Sequence, residues 1–190
     1  MNFYKLQMDR QRDNDILAHY EDDLGIYLSE MVIGKQYEGW DGRFTFFYDH
    51  SEGSFPSDYL ANDKGWFVVS AKLKRMMESL NTDIQYLPVE VWPKNGGASY
   101  QYYIANILKV VDALCLENSD YFTTNTKKLG PIHTVSKFAV YEDKVAGTDV
   151  FKLANRQEIP IFVSERFKER MEEVGITGIE LMRIRTVKAS

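Results

Sequence analysis

Two stretches of the chain carry the same order of apolar and polar positions. Residues 65–89 read GWFVVSAKLKRMMESLNTDIQYLPV, and residues 160–184 read PIFVSERFKERMEEVGITGIELMRI. Setting Ser70 on Ser164, an offset of 94 (164 − 70), places Val69 on Val163, Leu73 on Phe167, Lys74 on Lys168, Met77 on Met171 and Glu78 on Glu172. One gap at Gly178 brings Ile84 onto Ile179. Each copy is a short apolar run, a serine, an amphipathic stretch and a second apolar run. The pattern predicts strand, N-cap, helix, strand, twice. A serine in the N-cap position accepts a hydrogen bond from a free N–H of the first helical turn, worth roughly 1 kcal/mol. Leu73, Met76, Met77 and Leu80 fall on one helical face, as do Phe167, Met171 and Val174. Glu165 suits the N-terminal end of its helix dipole, and Gly175 stands where a left-handed C-terminal residue is expected.

Elsewhere the pattern is less regular. Asn2–Met8 alternates and predicts an opening strand. Ile16–Tyr27 supports no assignment. Arg43–Tyr48 (RFTFFY) is rich in aromatics and predicts a strand, followed by a loop over Asp49–Ser57 with Gly53 and Pro56. Ile84–Trp92 predicts a strand stopped by Pro93, Asn95, Gly96 and Gly97. Tyr100–Leu116 predicts the best helix in the chain. Its Tyr103, Ile104, Ile107, Leu108, Val111, Leu114 and Cys115 make a wide apolar stripe suited to burial against a sheet. Phe138–Tyr141 and Val150–Leu153 predict two strands across a turn near Ala146-Gly147. The expected fold class is α+β: a mixed sheet packed with helices and two similar strand–helix–strand units, at 65–92 and 159–184. No low-complexity segment or long linker divides the chain, so one domain over 1–190 is expected.

Composition narrows the class of protein. The 190 residues are 44% hydrophobic and 27% charged, the profile of a globular chain. The net charge of −5 leaves no clustered basic surface for nucleic acid and is compatible with a basic protein partner. Cys115 is the single cysteine, so no intramolecular disulfide forms, which favours a reducing compartment. No apolar run approaches the ~20 residues that span a bilayer, and residues 1–12 lack a secretory signal. The expected location is the cytoplasm, with no membrane partner.

Chemistry is sparse. His19, His50 and His133 are not at metal-ligand spacing with one another or with Cys115, so no metal or cofactor is expected. Asp13 and Asp15 suggest a calcium loop, but the required Gly and terminal Glu are missing. No phosphate-cradling glycine motif and no GxSxG elbow occurs. Asp49 beside His50 could orient an imidazole, although such a pair on a loop is usually only solvated. Cys115 reads as a buried, inert thiol. Asn106 and Asp112, inside the apolar Tyr100–Leu116 stretch, read either as surface groups, with Asp112 paired to Lys109, or as partners of a neighbouring loop's backbone.

An ordered series of short motifs carries a resemblance. It runs Val68-Val69-Ser70 with Leu73, Leu87-Pro88-Val89, Tyr103-Ile104-Ala105-Asn106-Ile107-Leu108, Val111-Asp112-Ala113-Leu114 and Glu117-Asn118-Ser119. Val150-Phe151-Lys152-Leu153, Ile161-Phe162-Val163-Ser164 and Gly175-Ile176-Thr177-Gly178-Ile179 complete it. The series resembles the eleventh immunity-protein family of bacterial polymorphic toxin systems, from about Asp58 to Arg183, with residues 1–57 matching weakly and 58–184 forming the family-like region. Where members often carry a second acidic residue after the Asp-Ala-Leu run, this chain has Cys115. The resemblance implies a cytoplasmic, non-catalytic protein that protects its producer by binding a cognate toxin. The matched positions are mostly apolar, glycine, proline or capping residues, so they carry over no binding site.

The residues themselves leave three functions open. An immunity or interaction protein would use a surface patch with aromatic anchors and a polar rim. The candidates are the acidic run Glu21, Asp22 and Asp23 and the loop at Trp40 and Asp41, with partial burial in the core as the plainer reading of Trp40. An enzyme, hydrolytic or modifying, would use Asp49, His50 or His133. A small-ligand-binding or scaffold protein would need a deep cleft with convergent polar groups.

Overall fold

The two serines act as the spacing predicts. In the computed structural model, which describes residues 1–9, 11, 13–126, 130–155 and 157–188, each opens a helix. Ser70 Oγ accepts from the Leu73 N–H at 3.1 Å, and Ser164 Oγ accepts from the Phe167 N–H at 3.2 Å. The fold around them is not the expected α+β arrangement. It is mostly β, 44% strand against 16% helix, in several sheets.

In chain order the elements are β1 (Phe3–Met8), β2 (Leu17–Ala18), α1 (Leu28–Val32), β3 (Thr45–Tyr48), β4 (Tyr59–Asn62), β5 (Val68–Ser70), α2 (Ala71–Glu78), β6 (Ile84–Pro93), β7 (Tyr100–Ile107) and β8 (Val110–Val111). A short 3₁₀ turn (Leu116–Asn118) leads to β9 (Asp120–Thr126), β10 (Gly130–Lys137), β11 (Ala139–Tyr141), α3 (Glu142–Val145), β12 (Val150–Leu153), β13 (Gln157–Ser164), α4 (Glu165–Val174), β14 (Ile179–Arg183) and β15 (Arg185–Val187).

The clearest correction is Tyr100–Leu116, expected as a helix. It forms β7 and β8, and Leu114 makes a bridge to Val140. The reason is burial on both faces. Tyr102 and Ile104 point into one core, while Ala105 and Ile107 point into another. A strand buried on both sides reads as a continuous apolar run, which periodicity alone does not separate from a buried helix. The aromatic and β-branched content of TyrGlnTyrTyrIleAlaAsnIle favours the strand. Phe138–Tyr141 and Val150–Leu153 do form strands, β11 and β12, with a turn at 146–147, but α3 also lies between them and they pair elsewhere: β11 with β15, and β12 with β13 and β8.

Six strands lie in the order β2-β4-β5-β7-β6-β3. His19 and Phe47 exchange two backbone hydrogen bonds of 2.7 Å, joining the ends of β2 and β3 and closing the sheet into a near-barrel. β6 alternates strictly: Leu87, Val89 and Val91 are buried, while Pro88, Glu90 and Trp92 face out. Phe44, Phe46, Trp66 and Val68 fill the interior with them.

The second sheet is open, in the order β14-β1-β13-β12-β8. Between the sheets, α2 and α4 pack on each other over a shared core that includes Val69, Leu73, Met77, Ile107, Val163 and Phe167. A third core of Phe3, Phe138, Phe151 and Phe162 sits on the other face of the open sheet.

Each repeat copy is part of a split unit. β5 and β6 both run antiparallel to β7, which lies between them. β13 and β14 both run antiparallel to β1, which lies between them. An aspartate one strand upstream completes each unit. Asp58 accepts from Ser70 Oγ at 2.5 Å, and Asp149 accepts from Ser164 Oγ at 2.6 Å. Each aspartate also grips the other unit: Asp58 Oδ2 accepts from the Thr177 N–H at 3.0 Å, and Asp149 Oδ2 accepts from the Asn81 N–H at 2.9 Å. Asn81 and Thr177 each lie three residues past the end of their helix (81 − 78 and 177 − 174). The grip is close enough that a Cβ on Gly178 would lie 2.6 Å from the Tyr59 carbonyl oxygen, so a glycine is required where the repeat alignment needs its gap.

Candidate partner-binding site

The segment that follows the acidic run and the tryptophan loop come together at Leu24, Ile26 and Trp40. Asp22 Oδ1 accepts from the Leu24 N–H at 2.9 Å and Asp23 Oδ1 from the Gly25 N–H at 2.8 Å. These bonds fold a tight turn in which Leu24 and Gly25 have positive φ. Glu21 and Asp22 are exposed and Asp23 is half-buried. Lys64 holds the turn from below. Its ammonium donates to the Ile26 carbonyl at 2.9 Å, stands 4.0 Å from the Asp23 carboxylate and lies 4.3 Å above the Tyr20 ring.

The second segment is sewn to the near-barrel. Gln85 and Tyr37 exchange two hydrogen bonds of 2.8 Å. Asn106, wholly buried, donates to the Lys35 carbonyl at 2.8 Å, so of the two readings of this residue the loop-binding one holds. Asp112 is taken by Asn155 at 2.9 Å, not by Lys109. Trp40 donates from Nε1 to the Pro88 carbonyl at 3.0 Å, meets Tyr37 edge-on at 6.1 Å and packs half-buried against the core. Asp41 accepts from the Arg43 N–H at 3.0 Å and from Arg43 Nε at 2.5 Å. The backbone bond from Arg43, and then its side chain, hold the Asp41 carboxyl below the usual carboxylate range.

Leu24 and Ile26 from the first segment and Tyr37, Trp40, Asp41, Arg43 and Phe44 from the second line one shallow depression of about 80 Å³, with Asp41 and Arg43 paired in its wall. Tyr27, 66% exposed, follows Ile26 in the chain and precedes α1. Ile16–Tyr27 has no period, so the sequence alone singles out neither Leu24 nor Tyr27. The carboxylates of Glu21, Asp22, Asp23 and Asp41 stand on these two segments, with the basic side chains of Arg43 and Lys64 beside them.

The alternative catalytic residues are not brought together. Asp49 accepts from the Ser51 N–H at 2.9 Å and Ser51 Oγ at 2.7 Å, bonds that lower its pKa. The His50 ring packs edge-on against Tyr48 at 5.0 Å. His133 is hydrogen-bonded to Thr123 Oγ1 at 2.9 Å on the β9–β10 hairpin. His19 has both ring nitrogens occupied, by Glu52 at 2.8 Å and Asp63 at 3.2 Å, at the seam of the near-barrel. Cys115 is buried and accepts from Asn118 Nδ2 at 3.3 Å. Among the described residues, no group of three His, Cys, Asp or Glu side chains is placed to hold a metal, and no helix is long and apolar enough to cross a membrane.

Together the residues of the two segments form a shallow depression with aromatic walls on a β scaffold. The chain belongs to the immunity protein family Imm11, which it matches over residues 2–186. The match takes in the N-terminal 57 residues, so β1 to β3 and the depression lie inside the family region. No curated protein matches the chain.

Proposed function

We propose that this protein neutralises a cognate bacterial toxin by binding it directly in the cytoplasm, with no chemistry of its own. Membership of an immunity protein family carries the reading. The contact surface is the face around Glu21, Asp22, Asp23, Trp40 and Asp41, with Tyr27 and Leu24 as the apolar anchors. The turn and the loop are braced by Lys64, Gln85 and Asn106, so ordering them on binding costs little. The exposed carboxylates of Glu21 and Asp22 suit a basic partner and speed its approach.

The test is co-expression with the toxin encoded beside this protein's gene, with pull-down in parallel. Tyr27→Ala should weaken the complex by about 2 kcal/mol or more if Tyr27 is an anchor, and Asp22→Lys should slow association. Protection and complex formation should fall together. Asp49→Ala, His50→Ala and His133→Ala should each leave protection intact. Protection without a complex, abolished by one of those three substitutions, would instead establish an enzyme.

A further inference from the structure

The open sheet ends at β14, and among the described residues no strand lies beside its outer edge. The register fixes which groups are free. Ile184 donates to the Phe3 carbonyl and Asp9 to the Gly178 carbonyl, so residues 178, 180, 182 and 184 are the hydrogen-bonded positions against β1. By alternation the N–H and C=O of Leu181 and Arg183 point outward. A second polypeptide strand can pair with them.

Next to this edge lies a pocket of about 300 Å³, floored by Phe138, Met182 and Ile184. Lys5, Lys137, Arg183 and Arg185 line it against one carboxylate, Asp120. Lys137 pairs with Asp120 at 2.8 Å and is 82% exposed. The Lys5 ammonium lies 5.7 Å above the Phe138 ring. Arg185 donates to the Asn118 carbonyl at 3.1 Å, and Arg183 donates to the Asn2 side-chain oxygen at 2.7 Å. Neither arginine has a carboxylate partner among the described residues. The hydrogen bond from Lys137, the charge of Lys137 and the charge of Arg185 together hold the Asp120 carboxyl low, which reports the positive field inside the pocket.

We propose that the β14 edge and this basic pocket form a docking site for an acidic, extended segment of a partner protein. The segment adds to the open sheet beside Leu181 and Arg183 and places a carboxylate among Lys5, Lys137 and Arg185. A peptide fits better than a nucleic acid for two reasons. The protein's net charge of −5 opposes a long polyanion, whereas one carboxylate feels only the local cluster. The free backbone groups of an edge strand also offer pairing that only another peptide backbone can return. This surface lies on the open sheet, away from the depression on the near-barrel, and does not depend on toxin binding there.

The experiment is fluorescence anisotropy on the full chain. The probe is a labelled heptapeptide alternating glutamate and valine, compared with its lysine–valine counterpart, with the acidic peptide N-methylated at alternate residues, and with a single-stranded oligonucleotide. The acidic peptide should bind saturably and weaken with added salt, and the lysine peptide should not bind. N-methylation should weaken binding about ten-fold or more by removing the edge pairing, and Lys137→Glu and Arg185→Glu should each weaken it by a similar factor. Lys137 is so exposed that its replacement tests the pocket even if Arg185→Glu unfolds the chain. No binding of the acidic peptide, equal binding of the lysine peptide, indifference to N-methylation, or tighter binding of the oligonucleotide would each overturn the site.

Discussion

The two split units share one local geometry and complete it in different ways. In the first, β7 supplies the middle strand and follows directly after β6. In the second, the middle strand is β1, from the other end of the chain. The first unit's sheet closes on itself through His19 and Phe47, and the second remains open at β14. A capped helix between two parallel strands therefore requires only a strand of suitable faces to fill the gap, from whichever part of the chain can reach it. What ties the units is reciprocal: each cap's aspartate holds the loop that follows the other's helix.

The comparison can be broken most forcefully at the helix positions that meet between the sheets. Phe167→Ala and Leu73→Ala, equivalent in the alignment and both fully buried, should cost about 3–5 and about 2–5 kcal/mol respectively in denaturant unfolding. If only one of them destabilises, the shared core is not a single cooperative unit.

The aspartates come next. Asp149→Ala leaves the Ser164 hydroxyl and the Asn81 N–H without their acceptor, at a cost of about 2–3 kcal/mol. Asp58→Ala should behave alike. If the reciprocal grip is one device, the double substitution should cost less than the sum of the singles, as a double-mutant cycle would read.

Two smaller effects separate the units. Gly175 ends α4 with φ 68°, whereas Ser79, the residue that ends α2, has an ordinary right-handed conformation. No atom crowds Gly175, so Gly175→Ala should cost only the left-handed penalty, about 1–2 kcal/mol by thermal unfolding. Glu165 follows Ser164, whereas Ala71 follows Ser70. Hydrogen bonds from Asn2 and then Tyr4 hold the Glu165 carboxyl below its ordinary value. A depressed carboxyl stabilises the fold above its unfolded pKa, and that contribution is lost as pH falls through the folded one. Stability of the wild type minus that of Glu165→Gln should therefore shrink as pH drops below the usual carboxylate range. A difference that is flat with pH would remove Glu165 from the account.

The units were legible where the information is local. Ser70, Ser164, Gly175 and the apolar faces of α2 and α4 can be read from spacing, because a helix start, stop and stripe depend on residues within a few turns. The alternation of Asn2–Met8 and the aromatic run before Tyr48 likewise mark β1 and β3. The family could be read from the ordered motifs, and two of the charged and aromatic segments beside the depression on the near-barrel stood out by composition. Asp58 stood out only as the start of the family-like region, and Asp149 gave no signal. They lie 12 and 15 residues before their serines, and that difference hides the equivalence from a simple offset. Tyr100–Ile107 misled for a related reason: both faces are buried, so the polar half of the strand pattern, which would have marked it, is missing.

By itself, then, the sequence determined the two capped helices with their flanking strands, the membership of an immunity protein family and the absence of a short-range catalytic motif. Each of these rests on residues close together in the chain. Only the tertiary structure decided that β1 and β7 fill equivalent gaps, that one sheet closes and the other stays open, and that Leu24 and Trp40 border one depression while Lys5, Lys137 and Arg185 border another. Those outcomes depend on strand pairing across 100 residues or more in the case of β1 with β13 and β14. Hydrogen bonds between backbones carry no residue identity, so the choice of partner is made by which faces can be buried together.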